Sequence, residues 1–233
     1  MREKEKIDAI IVAAGSGRRL GYSQPKAFVP LGGKPLLSYS LEIFLNNRFI
    51  DNVILVVPES LLEHSILSFQ NDNLRVKIVS GGEERWHSVA NGIGASSAQW
   101  VLVHDAARPF VTDQVIEKLI EKQSGYECVI TAIPEVDTVR EFCGDKAGTT
   151  LDREKIVRVG TPQLFLRESL ITALNTASQI SPPPTDEAML MQRLGKEVGI
   201  AWGDPLNFKV TTPSDLQIAE ALVARENTLQ LGR

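Results

Sequence analysis

Short apolar runs rich in β-branched residues recur along the chain, separated by longer stretches whose apolar positions return every three or four residues. Residues 9–12, 53–57, 76–79, 101–103 and 129–133 read as strands. The first, second and fourth are nearly all apolar, as expected of strands covered on both faces. Helical periodicity fills the intervals, at 35–46, 59–69, 85–96 and 112–122. The last is well punctuated. Thr112 can cap it, Asp113 suits its positive end, Val115, Ile116, Leu119 and Ile120 form one stripe, and Gly125 follows. Alternating strands and helices predict an α/β fold with a mainly parallel sheet. Ligands of such sheets bind beyond the carboxyl ends of the strands, which points to the loops after Val12, Val79 and Val103.

The pattern changes after Pro134. Val136, Thr138, Arg140 and Phe142 alternate with Asp137, Val139 and Glu141, and a turn-like stretch follows at 144–148. A second extended run, Lys155-Ile156-Val157-Arg158-Val159, leads back. This reads as a β-hairpin arm, about 136–157, inserted into one α/β domain of 233 residues. Its strands hold too few apolar residues to pack alone, so it must lean on something, and a partner subunit is a candidate. Helical patterns resume at 167–178, 185–194 and 214–225, the last opened by Thr212 and Pro213.

Composition narrows the classes. Hydrophobic residues at 43% and charged residues at 23% exclude extended disorder. Lys and Arg total 25 against 29 Asp and Glu, a net charge of −4. That balance argues against a nucleic-acid-binding surface and leaves room for a local basic pocket. Cys128 and Cys143 are too few to build a zinc site and suit a reducing compartment. No segment approaches the roughly 20 apolar residues that span a bilayer, and the mixed-charge N-terminus resembles neither a signal nor a transit peptide. The expectation is a cytoplasmic protein without membrane contact.

The loop after the first strand reads Ala13-Ala14-Gly15-Ser16-Gly17-Arg18-Arg19-Leu20-Gly21. A dinucleotide fingerprint fails because Leu20 holds the third glycine position and Pro25 cuts the helix short. A Walker loop fails because Gly33-Lys34 is followed by Pro35. A hydrolase elbow fails because Ala14 stands two places before Ser16. What remains is a small-residue loop whose backbone N–H groups can approach phosphate oxygens, with Arg18, Arg19 and Lys26 supplying charge.

The continuation, Pro25-Lys26 and then Pro30-Leu31-Gly32-Gly33-Lys34-Pro35-Leu36, resembles the signature of sugar-phosphate nucleotidyltransferases. Gly81-Gly82-Glu83, Arg85-Trp86-His87-Ser88, His104-Asp105-Ala106-Ala107-Arg108-Pro109, Asp137-Thr138, Leu151-Asp152-Arg153, Thr161-Pro162-Gln163, Thr185-Asp186-Glu187-Ala188 and Asn207-Phe208-Lys209 follow in order. In this sequence and order they resemble the 2-C-methyl-D-erythritol 4-phosphate cytidylyltransferase family, from about Ile10 to Ala224. The resemblance implies a Rossmann-like sheet, transfer of CMP from CTP to the polyol phosphate, a magnesium ion and a cytoplasmic homodimer.

It also implies roles. Arg19 and Lys26 match transition-state stabilising positions, and Ala13, Ala14 and Gly15 would lie along the nucleotide. Gly82, Glu83, Ser88 and Ala106 match the CTP pocket, with Glu83 standing where the family's pattern usually has Asp. Asp105 ends a strand, where a hard oxygen ligand could serve magnesium, while the resemblance also sets it near the polyol hydroxyls. Arg108, Thr138, Arg153, Thr161 and Lys209 match second-substrate positions, and Arg153 and Lys209 would grip its phosphate. His104 looks like a strand-end residue, because an ionised phosphate nucleophile needs no base. Two rival readings stay open: a ribitol-5-phosphate cytidylyltransferase and a non-catalytic nucleotide-binding protein.

Overall fold

The computed structural model describes residues 5–15, 17, 22, 24–70, 73–179 and 184–231. The chain opens with β1 (Ile7–Val12), and a small hairpin, β2 (Pro30–Leu31) and β3 (Lys34–Pro35), precedes α1 (Leu36–Asn46). Then come β4 (Asn52–Val57), the short α2 (Leu62–Ser65), β5 (Val76–Ser80), α3 (Arg85–Gly94), β6 (Trp100–Asp105), α4 (Asp113–Glu121) and β7 (Cys128–Pro134). β8 (Arg140–Cys143) and β9 (Lys146–Thr150) form the arm. The chain closes through β10 (Val157–Leu166), α5 (Arg167–Leu174), α6 (Glu187–Arg193), β11 (Val198–Trp202) and α7 (Pro213–Leu231).

Seven strands make the central sheet, in the order β11-β7-β10-β6-β1-β4-β5. Only β10 runs antiparallel to its neighbours; the other pairings are parallel. The α/β reading of the hydrophobic pattern is therefore met. Alternation along the buried strands feeds two cores. Ala9, Ile11, Leu55 and Leu102 pack toward Phe44 of α1 and Ile116 and Leu119 of α4. Ile10, Ile54, Val101 and Val103 pack on the other face toward Val89, Ile93, Leu170 and Leu190. A helix layer on each face keeps every central strand dry. A third cluster seats Leu216, Ala219 and Val223 of α7 against Val29, Leu31 and Leu36.

Several expected boundaries shift. The arm's return strand is β9, not the run from Lys155 to Val159. Cys143 pairs with Lys146, and Gly144 takes φ +69°, so the chain reverses over two residues as soon as glycine permits. Arg153–Lys155 form a single 3₁₀ turn, and Val157 to Val159 belong to β10 in the main sheet. The helix expected at 59–69 is broken into a 3₁₀ turn, α2 and a π-helical turn. Thr112 makes no side-chain cap; Asp113 instead accepts a 2.6 Å hydrogen bond from Asn47. α5 stops at Leu174, short of the expected 178. Thr212 does open α7, its hydroxyl accepting from the Asp215 N–H at 3.3 Å while Asp215 accepts from the Thr212 N–H at 2.7 Å. No helix among the described residues is long and apolar enough to cross a membrane.

Candidate active site

Because β1, β5 and β6 are parallel to one another through the sheet, their carboxyl ends share an edge, with Val12 paired to Asp105. The loops leaving that edge enclose a cleft of about 320 Å³. One wall is the backbone of Ala13, Ala14, Gly15 and Gly17, with Lys26 beside it. Gly17 sits at φ +67°, and a Cβ there would lie 2.7 Å from the Lys26 amide nitrogen, so the loop and Lys26 fit together only around glycine. Lys26 begins a short 3₁₀ turn anchored by the buried Ala27 and Phe28.

The opposite wall is the turn into α3. The Gly82 N–H donates to the Ser88 Oγ at 3.1 Å, and Ser88 itself is buried. A Cβ on Gly81 would come within 2.3 Å of Ala14 Cβ, so the two walls meet where only glycine allows. Glu83, Glu84, Ala106, Ala107 and Thr211 complete the lining.

A second pocket of about 200 Å³ abuts the first, lined by Arg108, Gly160, Thr161, Gln163, Thr185 and Asp186. Arg85, Asp105 and Lys209 border both. Lys209 donates to Asp105 Oδ2 at 2.7 Å, Arg85 Nε donates to Oδ1 at 3.1 Å, and Arg108 Nε stands 4.0 Å from Oδ2. Burial works to raise the Asp105 carboxyl, but Arg85 and Lys209, with Arg108 behind them, outweigh it and hold the group well below the usual carboxylate range. Arg85 also clasps Glu187 at 2.5 and 2.6 Å. Burial pushes Glu187 up, against the pull of that guanidinium.

His104 is fully buried behind Asp105. Its Nε2 faces the Arg108 carbonyl at 3.0 Å and so carries the proton, leaving Nδ1 to accept from the Thr161 hydroxyl at 3.2 Å. The Thr161 Oγ1 in turn accepts the Asp105 N–H at 3.0 Å. Burial lowers the imidazole from 6.5 to about 4. His104 is thus a neutral bracket, as its strand-end place suggested. Thr161 reaches it because the β10 register shifts between Gly160 and Gln163.

Ala13, Ala14, Gly15, Lys26, Gly82, Glu83, Ser88, Asp105, Ala106 and Lys209 are gathered around the first pocket, and Asp105, Arg108, Thr161 and Lys209 around the second. Arg19 lies outside the described residues. Thr138 and Arg153 line neither pocket; Arg153 stands exposed on the arm and donates to the Val136 carbonyl at 2.8 Å. The sequence reading assigned no role to Arg85, Glu187 or Gln163. Arg85 directly follows the Gly81 to Glu84 turn, but its carboxylate partners lie 20 and 102 residues away. Among the described residues, no three His, Cys, Asp or Glu side chains come together as a metal cage.

A model of the family 2-C-methyl-D-erythritol 4-phosphate cytidylyltransferase matches residues 7–225. The chain belongs to that family. A relative from Syntrophus aciditrophicus bearing the family's name is 38% identical over 96% of this chain and 98% of its own length. One from Rhodococcus opacus is 40% identical over 93% and 95% respectively. Among solved structures, 4-diphosphocytidyl-2C-methyl-D-erythritol synthase from Anaerococcus prevotii aligns with a TM-score of 0.82 at 27% identity, covering 95% of this chain and 97% of that one. The 2-C-methyl-D-erythritol 4-phosphate cytidylyltransferase of Thermus thermophilus aligns at 0.78 and 32% identity, covering 93% and 98%. The glycine loop, the Asp105 segment and the Lys209 segment all fall within the matched residues.

Proposed function

We propose that the chain transfers CMP from CTP to 2-C-methyl-D-erythritol 4-phosphate, giving 4-diphosphocytidyl-2-C-methyl-D-erythritol and pyrophosphate, a step of isoprenoid precursor synthesis. Family membership supports the reaction, and one observation carries its placement. Two pockets abut at a shared Arg85–Asp105–Lys209 border, one walled by a glycine loop and the other by Arg108 and Thr161. CTP takes the first pocket, its phosphates against the backbone of Ala14 and Gly15 and its base against Gly82 and Ser88. The polyol phosphate takes the second.

The nucleophile is a phosphate oxygen, the electrophile is the α-phosphorus, and both are anionic. The protein must neutralise charge and hold the attacking oxygen in line with the departing pyrophosphate. Lys26 serves the triphosphate side, and Arg19 is assigned there with it. Lys209 and Arg108 serve the incoming phosphate. Asp105, kept ionised by its cations, accepts hydrogen bonds from polyol hydroxyls. An ionised phosphate needs no base, which agrees with a neutral His104 turned away into the protein.

A magnesium ion fits this scheme if the substrate phosphates supply most of its ligands. Asp105 can offer a carboxylate oxygen, although Arg85 and Lys209 already hold one each. When bound, such an ion would neutralise phosphate charge. Thr138 and Arg153 are assigned to the second substrate of a neighbouring subunit, reached by the arm across a two-fold axis, in a cytoplasmic homodimer of single-domain chains. The exposure of Arg153, in the 3₁₀ turn that follows a hairpin with almost no core of its own, supports that assignment.

Pyrophosphate release with each of the four nucleoside triphosphates, crossed with methylerythritol and ribitol phosphates, tests the reading. CTP with methylerythritol phosphate should give the fastest release. Preference for ribitol phosphate would move the assignment to that substrate, and release with no pair would reject catalysis.

A further inference from the structure

Glu187 is 1% exposed and borders neither pocket, yet both its oxygens are spent on one atom of a residue that borders both. A carboxylate buried this deeply is costly unless it is paired and hydrogen-bonded, and Arg85 supplies the pairing. The cost has a geometric return. Arg85 is the first residue of α3, and a long side chain at a helix terminus would otherwise sample many rotamers. With Nη1 clasped by Glu187, the planar guanidinium is locked and its Nε is presented to Asp105 Oδ1 at 3.1 Å. Lys209 holds the other oxygen from across the pocket border. The plane of the Asp105 carboxylate is therefore set by two cations, one of which is itself set by Glu187. α6, which carries Glu187, is in turn fixed by the Asp186 cap on the Met189 N–H, so the brace is anchored in the body and not in a loop.

We propose that Glu187 is a positioning residue for the transfer, acting through Arg85 to orient Asp105 at the boundary between the two substrates. The inference rests on the functional reading above, in which Asp105 orients the polyol phosphate. The ion pairs at that boundary join three cations, Arg85, Arg108 and Lys209, to two carboxylates, Asp105 and Glu187, with Asp186 next to Glu187 in the second pocket's lining. Removing the charge of Glu187 frees the guanidinium to turn its fork onto Asp105. The carboxylate oxygens that should accept polyol hydroxyls are then withdrawn, while the glycine-loop wall of the nucleotide pocket is untouched. The defect should therefore fall on the second substrate and on turnover, and spare CTP.

The test is steady-state kinetics of pyrophosphate release by the full-length protein carrying Glu187→Gln, a near-isosteric change. Turnover should fall about tenfold and the KM for methylerythritol phosphate should rise about fivefold, with the KM for CTP held within about twofold. Arg85→Lys keeps a charge but loses the fork that spans both carboxylates, so it should raise the polyol phosphate KM in the same way. The double variant should be no worse than the worse single one, because the two residues act as one unit. A Glu187→Gln protein with wild-type turnover and polyol phosphate KM overturns the proposal, as does a double variant whose losses multiply. Should circular dichroism show Glu187→Gln unfolded, Arg85→Lys decides alone: an unchanged polyol phosphate KM overturns the brace. Failure of the functional reading is separate, since wild-type protein would then release no pyrophosphate with any substrate pair.

Discussion

Asp105 stays ionised in a buried position because three cations converge on it, and His104 stays neutral beside it because burial outweighs the pull of the Arg108 carbonyl and of the Asp105 charge. The second fact has a stability consequence with a definite sign. The folded pKa of His104, about 4, lies below the 6.5 of an unfolded histidine, so the unfolded chain binds the extra proton between those values. Stability from this group is present above pH 6.5 and is lost as pH falls toward 4, by about 3 kcal/mol in total. Thermal melts from pH 7 to 4 should show the loss. His104→Gln should flatten that slope by close to one proton's worth, and an unaltered slope would show that another group carries it. Ser88 gives a second prediction at this scale. Its Oγ accepts the Gly82 N–H and so shapes the turn proposed above to meet the base. Ser88→Ala removes one hydrogen bond of about 1 kcal/mol and should raise the KM for CTP about fivefold with little change in turnover. A turnover defect with unchanged KM would remove Ser88 from the nucleotide pocket.

At the scale of elements, the arm is the part least able to hold itself together. Nearly every residue of β8 and β9 is exposed, with Phe142 at 88%, and a lone two-stranded hairpin is marginal in water. Replacing residues 140–150 by a short glycine–serine turn should leave the body folded and CTP bound, because neither pocket draws on them. Turnover with the polyol phosphate should drop at least about a hundredfold if the arm positions that substrate. Equilibrium CTP binding and pyrophosphate release on the same sample check both halves. Turnover near wild type would remove the arm from the site. The arm's existence was legible in the alternation after Pro134, but its return strand was not. Both 146–150 and 155–159 can be extended; the reversal at Gly144 and the demand of β7 for a partner decide which run pairs where.

At the level of the whole molecule, Thr138 and Arg153, proposed above to serve the second substrate, line neither pocket. If each site joins one subunit's glycine loop to its neighbour's arm, defects on opposite sides of the site should complement. Lys26→Ala and Arg153→Ala proteins should each be nearly inactive alone. After random subunit exchange in equal amounts, about half of the dimers are mixed and half of their sites are intact, so activity should return to about a quarter of wild type. Mass spectrometry of differently tagged subunits verifies the exchange. Verified exchange without recovered activity would mean that the arm serves its own subunit.

The parallel strands, the loops at their carboxyl ends and the residues of the glycine-loop wall were legible in the chain's local pattern, because these depend on hydrophobic period, glycine placement and family pattern. The rest depends on how distant elements come together. The antiparallel course of β10 and its bulge bring Thr161 to Asp105 across 56 residues of chain. The clasp of Arg85 by Glu187 spans 102 residues. β11, with glycine as its second residue and no polar alternation to mark it, is a strand because β7 offers it an edge. Periodicity reports which face a residue turns to the core, while contacts between charges depend on where separate elements meet. That meeting is set by the packing of the whole sheet, which no local stretch encodes.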